Sequence, residues 1–202
     1  RLLGWAPEGE QEIFSLDEMI KIWDPARISK SPAIFDPLKL RAINAAYIRA
    51  LPAEEFRKLA DPFIDQAVHV QIDRDLLCAN LQPRCEVLED IPPQLDFFDA
   101  VLPIDAEMYR NKKQKTTPES AKEALSALLP VLEAQTDWSR DAIFEACKQK
   151  AEAMEKKNGW LLFPLGIALS GKARTPGGGT DLAAMMGKEE TLRRLNVAIE
   201  AL

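Results

Sequence analysis

The sequence predicts an all-α protein: two consecutive bundles of short helices that form an α-helical cage. Apolar residues recur at helical spacing along most of the 202 residues, and no stretch alternates convincingly with the period of two that a strand needs. Fourteen prolines and nine glycines cut that pattern into short pieces. Capping residues stand where several of the pieces begin.

The elements follow in order. Ser15, with Glu18 three residues later, forms a capping box for a helix over LDEMIKIW (16–23). Asp36 before Pro37 is a strong start, because a carboxylate caps and proline loses nothing at the first helical position. The helix that follows puts Leu40, Ile43, Tyr47 and Leu51 on one stripe, and Pro52 limits it. A third helix is expected over 53–69, carrying His69 within FIDQAVHVQI. The paired prolines of DIPPQLDFF (90–98) forbid a long helix, so 73–110 reads as short helical pieces. Thr117-Pro118 starts another helix with Leu125, Leu128, Leu129 and Leu132 on one face; Pro130 is expected to bend it or end its first half. Ser139 caps the next, with Trp138 and Ile143 as a hydrophobic staple, and Asn158-Gly159 is expected to end it. WLLFPLGIAL (160–169) reads as a buried segment before a glycine-rich loop, and the final helix carries Leu192, Leu195, Ile199 and Leu202. The polar run RNKKQKTT (110–117) marks the seam between bundles: 14–115 proximal, 116–202 distal.

Composition narrows the function. With 47% hydrophobic and 29% charged residues the chain is not of disordered type. Its longest apolar run, 160–169, is too short to span a bilayer and contains a proline. No signal peptide opens it, so a cytoplasmic, non-membrane protein is expected; Arg1 in place of Met points to a piece of something longer. The net charge of −6 excludes coating nucleic acid by bulk charge, but leaves room for a local basic face. The three cysteines lack Cys-x-x-Cys spacing and His69 is the sole histidine. That set argues against zinc and fits reduced cysteines acting as small core hydrophobes. A Ser-His or Cys-His catalytic pair would rest on His69 alone.

Three strings invite chemistry. RISKS (27–31) is close to the Lys-Met-Ser-Lys-Ser loop with which class I aminoacyl-tRNA synthetases hold ATP. That loop needs a Rossmann sheet and a two-histidine partner motif, neither of which is present, so RISKS reads as a linker between helices. GKARTPGGG (171–179) follows no strand and departs from the nucleotide phosphate-loop pattern; it is either a plain interhelical loop or one whose backbone and hydroxyl contact a single-stranded base. YRNKKQK (109–115) reads first as a solvated face, and second as an RNA contact.

Together the residues are more specific than any one string. LLGWAPEGEQEIFSLDEMIKIWD (2–24), with RISKSPAIFDPLKLRAINAAYIRAL (27–51) after it, resembles the segment that follows the catalytic domain in bacterial glutamyl-tRNA synthetases. DIPPQLDFF, LLPVLEAQTDWS, FPLGIALSGKARTPGGG and GKEETLRRL match the same family in the same order, over essentially the whole chain.

The resemblance implies the C-terminal, anticodon-binding part of a glutamate–tRNA ligase. Residues 1–13 would be the tail of the connection to the catalytic part. It further implies no catalytic residue, metal or cofactor in this chain, ATP and Mg²⁺ being handled upstream. The implied partner is tRNA(Glu), with tRNA(Gln) as a second candidate, and no DNA; a monomer is expected. Residue by residue, Arg49 falls where discriminating members carry the arginine that reads the third anticodon base, and Arg41 matches a second arginine near it. Both lie on one i, i+4, i+8 ridge, about 12 Å apart along the axis, with small Ala45 between them to admit a nucleotide. Thr175, Pro176 and Gly178 align with the loop that reads the first base. The family's Pro-Leu-Arg is here Pro164-Leu165-Gly166, which leaves Lys172 or Arg174 to compensate. The competing readings are a non-catalytic helical scaffold that binds proteins and a stand-alone RNA-binding module.

Overall fold

The computed structural model describes residues 4–9, 11–30 and 35–202. Among the described residues nine α-helices run in order: α1 Leu16–Ile22, α2 Pro37–Ala50, α3 Ala53–Ile64, α4 Arg74–Leu81, α5 Pro118–Ala134, α6 Arg140–Ala153, α7 Asn158–Ser170, α8 Gly179–Met186 and α9 Lys188–Ala201. The proline-rich stretch between α4 and α5 forms short 3-10 turns, as its sequence requires. Two isolated bridges, Trp5–Ile28 and Asn111–Thr116, are the only β-pairing among these residues.

The expected caps form. Ser15 and Glu18 exchange both bonds of the box, at 2.7 and 3.2 Å. One Asp36 oxygen accepts from the Leu38 and Lys39 amides at 3.0 and 3.1 Å, satisfying two otherwise orphaned donors of α2. Thr117 and Ser139 cap α5 and α6.

Three expectations are corrected, and the helix end that Pro130 could have imposed does not occur. In α2 the buried side is Ala45 and Ile48, whereas Leu40 and Tyr47 of the expected stripe are exposed. Ala45 therefore packs inward and does not open a gap for a nucleotide. α3 stops at Ile64, and His69 lies beyond it: Asp99 accepts the His69 amide at 2.7 Å and meets its Nδ1 at 2.5 Å, a local alternative to further helix. α5 runs through Pro130. Pro130 and Ser126, four residues before it, both face solvent, so the carbonyl that proline leaves unpaired is hydrated while Leu125, Leu128 and Leu132 stay fully buried. Asn158-Gly159 opens α7 and does not end α6, which terminates at Ala153 with Glu155 as the left-handed residue, φ 55°. Gln114 of the polar seam packs against Gly159, where a Cβ would lie 1.8 Å from its Oε1 and would displace that flexible side chain.

The larger of two apolar clusters draws on both sides of that seam. Phe56, Ile64, Leu77 and Phe97 share it with Leu132, Ile143, Leu161 and Leu195. Cys78, Cys85 and Cys147 are unpaired and buried, and desolvation pushes their thiols up to about 11, 11 and 12. The two helices flanking the glycine-rich loop cross closely. A Cβ on Gly179 would fall 2.8 Å from the Leu162 carbonyl and 2.9 Å from the Gly166 amide, so α8 can approach α7 only with glycine there. The first helix is different: α1 buries no residue, and Leu16 and Ile20 are 74% and 66% exposed. No helix among the described residues is long and apolar enough to cross a membrane.

Candidate nucleic-acid interface

α2 presents its two arginines in different states. Arg41 donates from Nε to Glu86 at 2.8 Å and pairs through Nη2 with Asp90. Asn44, one turn on, donates to the Glu86 carbonyl at 2.6 Å, so these residues tie α2 to the 85–91 segment. The hydrogen bonds to Glu86, then Asp90, hold the guanidinium more firmly protonated than usual. The Arg49 side chain is exposed and has no hydrogen bond or ion pair among the described residues. Helix geometry explains the split. Eight residues advance a helix by about 80° beyond two full turns, so Arg49 has rotated away from the acidic segment that holds Arg41.

The end of α2 is held by the 3-10 turn Gln82–Arg84. Gln82 Nε2 donates to the Ile48 and Leu51 carbonyls at 3.0 and 2.8 Å, satisfying acceptors that the helix terminus leaves open on either side of Arg49. Two residues on, exposed Arg84 reaches the Thr175 carbonyl at 3.4 Å. One short turn thus touches both the Arg49 end of α2 and the glycine-rich loop.

That loop is anchored at several points. Lys172 donates to the Pro93 carbonyl at 3.0 Å and pairs with Asp96, fastening the loop to the proline-rich stretch. The Thr175 hydroxyl donates to the Gly177 carbonyl at 2.6 Å, which leaves its oxygen lone pairs available as acceptors. Pro176 is buried. The Gly178 amide donates to Asp181 at 2.7 Å, and Arg140 holds the other Asp181 oxygen at 3.0 Å. A carboxylate therefore already occupies the N-terminal amide of α8, so this loop does not fit a nucleotide phosphate. The Arg174 side chain, exposed on the loop, makes no hydrogen bond or ion pair among the described residues. At position 166 a Cβ would sit 3.7 Å from the Gly179 amide, an ordinary contact, so a side chain there is sterically admissible.

The ion pairs sort the arginines. Among the described residues Arg27, Arg41, Arg57, Arg74, Arg110, Arg140, Arg193 and Arg194 each meet a carboxylate. Arg49, Arg84 and Arg174 do not. They come from three distant parts of the chain, and all three lie at the Gln82–Arg84 turn and the two elements it touches. In a protein of net charge −6, unpaired guanidinium groups of this kind are where a local positive face can exist.

The other strings lie apart. RISKS is a pinned linker: Asp24 caps the 3-10 turn Pro25–Arg27, Arg27 pairs with Glu8 at 3.2 Å, and the Ser29 amide bonds to Gly4; its Ser31 falls outside the described residues. The basic turn 111–116 packs through Gln114 at the start of α7, the end opposite the glycine-rich loop, about 20 Å away along a helix of this length. Of the seven residues singled out from sequence, only Arg49 and Arg174 are both exposed and unpartnered among the described residues. Arg84 was missed. With Glu86 two residues away it looks pairable in sequence, and only the fold sends Glu86 to Arg41.

A family model described as "Anticodon binding domain" matches residues 44–199. The glutamate–tRNA ligase of Clostridium botulinum (strain Hall) is 43% identical over 201 residues, covering 100% of this chain and 41% of that protein. The glutamate–tRNA ligase of Clostridium acetobutylicum is likewise 43% identical, over 202 residues and 42% of its length. The chain therefore spans about two-fifths of these relatives. Among solved structures, a glutamate tRNA ligase from Elizabethkingia meningosepticum in complex with its amino acid superposes with a TM-score of 0.81 at 29% identity, covering 100% of this chain and 39% of that one. The glutamate–tRNA synthetase from Elizabethkingia anophelis gives 0.78 at 27% identity, over 98% of this chain and 39% of that one. With the helical fold, the free arginines and a family match over most of its length, the chain belongs to the anticodon-binding domain family.

Proposed function

We propose that this chain reads the anticodon of tRNA(Glu) as the recognition part of a glutamate–tRNA ligase whose ATP- and Mg²⁺-dependent chemistry resides elsewhere in the longer protein. The observation that carries the reading is the set of three unpaired arginines gathered at one turn and its neighbours, in a chain alike over its whole length to such ligases. Anticodon bases are single-stranded, so they are recognised by hydrogen bonds to their edges and by stacking, while Lys and Arg hold the phosphates.

In this proposal Arg49 reads the third anticodon base. Its donor fork can reach the O2 and N3 acceptors on the Watson–Crick edge of cytosine, where guanine presents N1–H and N2–H donors beside a single O6 acceptor. Arg41 acts through structure, fixing α2 on the 85–91 segment. Thr175 contributes its acceptor lone pairs, and Arg174 stands in for the arginine that position 166 lacks. Lys172, Pro176 and Gly178 set the loop's shape. The proximal and distal divisions at 14–115 and 116–202 then mark which side supplies each contact, and the working form is a cytoplasmic monomer acting on tRNA(Glu), with tRNA(Gln) as a second candidate.

The test is a gel shift of the full-length protein against tRNA transcripts that differ only in the anticodon. Tighter binding of the glutamate anticodon is expected, weakening steeply with salt as phosphate contacts release counterions. Binding that ignores the anticodon would overturn the proposal and favour a protein-binding scaffold.

A further inference from the structure

We infer that Arg84 is a phosphate-binding residue: it holds the RNA backbone between the base read at Arg49 and the bases read at the 172–178 loop. The inference rests on the anticodon-reading proposal and adds to it a residue and a ligand group that neither the sequence motifs nor the family resemblance assigned.

Position comes first. Arg84 belongs to the one short turn that is bonded both to the Arg49 end of α2, through Gln82, and to the loop, through its own contact with the Thr175 carbonyl. A strand of RNA that touches both sites passes this turn.

Charge comes second. Of the acidic groups on the adjoining segments, Glu86 and Asp90 hold Arg41 and Asp96 holds Lys172; Glu89, also near Cys85, makes no ion pair with Arg84 among the described residues. Arg84 itself has only a long contact to a neutral carbonyl, so most of its five N–H donors are free. An exposed, unneutralised guanidinium matches a phosphodiester, which offers two acceptor oxygens and a negative charge. A base edge is a poorer match, because discrimination needs a fixed fork, and a single contact at 3.4 Å does not fix one.

A phosphate contact and a base contact separate in their salt dependence. Fluorescence anisotropy of the full-length protein with two transcripts, cytosine or guanine at the third anticodon position, would be followed from about 50 to about 200 mM salt. Arg84→Ala should lower the slope of log affinity against log salt by about 0.7, the single-strand value for one phosphate. Over that range the variant should lose about two- to threefold less affinity than wild type. Both transcripts should weaken equally, and Arg84→Lys should keep the slope.

An unchanged slope in Arg84→Ala overturns the inference. So does a changed preference between transcripts that Arg84→Gln restores, which would show a residue that merely holds the Thr175 carbonyl. If wild type fails to distinguish the transcripts while Arg84→Ala still lowers the slope, base reading fails and the phosphate contact stands. If wild type binds neither transcript, both are overturned.

Discussion

Arginine does opposite work at two places in this molecule. In the core, Arg194 is 1% exposed, and its donors are engaged by the Phe97, Leu169 and Phe98 carbonyls at 2.6, 2.6 and 2.8 Å and by Glu190 at 2.6 Å. It joins α9, the end of α7 and the proline-rich stretch. At the rim, Arg49 and Arg174 engage nothing and Arg84 engages one carbonyl. A buried guanidinium must be fully paired, because desolvating an unpaired charge costs more than folding can recover. An exposed one has no such requirement. Unpaired exposed arginines on neighbouring elements, in an acidic chain, leave a local positive face.

The sharpest way to break the contrast is to remove the core member. Arg194→Met keeps much of the apolar stem but strands three buried carbonyls, while Glu190 keeps its pair with Arg193, and should destabilise by about 3–5 kcal/mol. Chemical denaturation of the full-length protein measures it. Arg49→Gln, by contrast, should change stability by less than about 0.5 kcal/mol, as expected for a surface site. Comparable losses at the two positions would erase the distinction.

Acid sharpens the same contrast. The hydrogen bond from Arg193, opposed by some desolvation and reinforced by Arg194, lowers the Glu190 carboxyl from 4.5 to about 2. Because the folded pKa is depressed, this stabilisation is fully present above about 4.5 and is lost as pH falls toward about 2. Glu190 keeps 31% of its side-chain exposure, so the contribution is discounted to on the order of 1–2 kcal/mol. Denaturation midpoints should fall over that window, and Glu190→Gln should flatten the fall. An unchanged profile in Glu190→Gln would place acid sensitivity elsewhere.

Much of this contrast was hidden in the sequence. Helix starts were legible because a cap is local: Ser15 with Glu18, and Asp36 with Pro37, need only their own neighbours. Helix ends and interior faces were less so. The apolar stripe of α2 suggested a buried face through Leu40 and Tyr47, but the chain buried Ala45 and Ile48, where α2 meets the core. The sequence also offered no reason to separate Arg194 from Arg193, its neighbour, although one is buried and the other is 54% exposed. Residue type pointed to Arg49 only through family resemblance. What leaves it unpaired, and what pairs Arg41, is the placement of Glu86 and Asp90, which lie more than forty residues from Arg41 in the chain.

The central claim is that a free rim arginine reads RNA while a paired one on the same helix supports it. The direct measurement is the charging efficiency of the full-length enzyme on two tRNAs that differ at the third anticodon position, cytosine against guanine, for wild type, Arg49→Gln and Arg41→Gln. Arg49→Gln should lower the preference for cytosine by about tenfold, the scale of one lost base contact. Arg41→Gln should slow both reactions and leave their ratio near that of wild type. A ratio that moves with Arg41 and ignores Arg49 would contradict the claim.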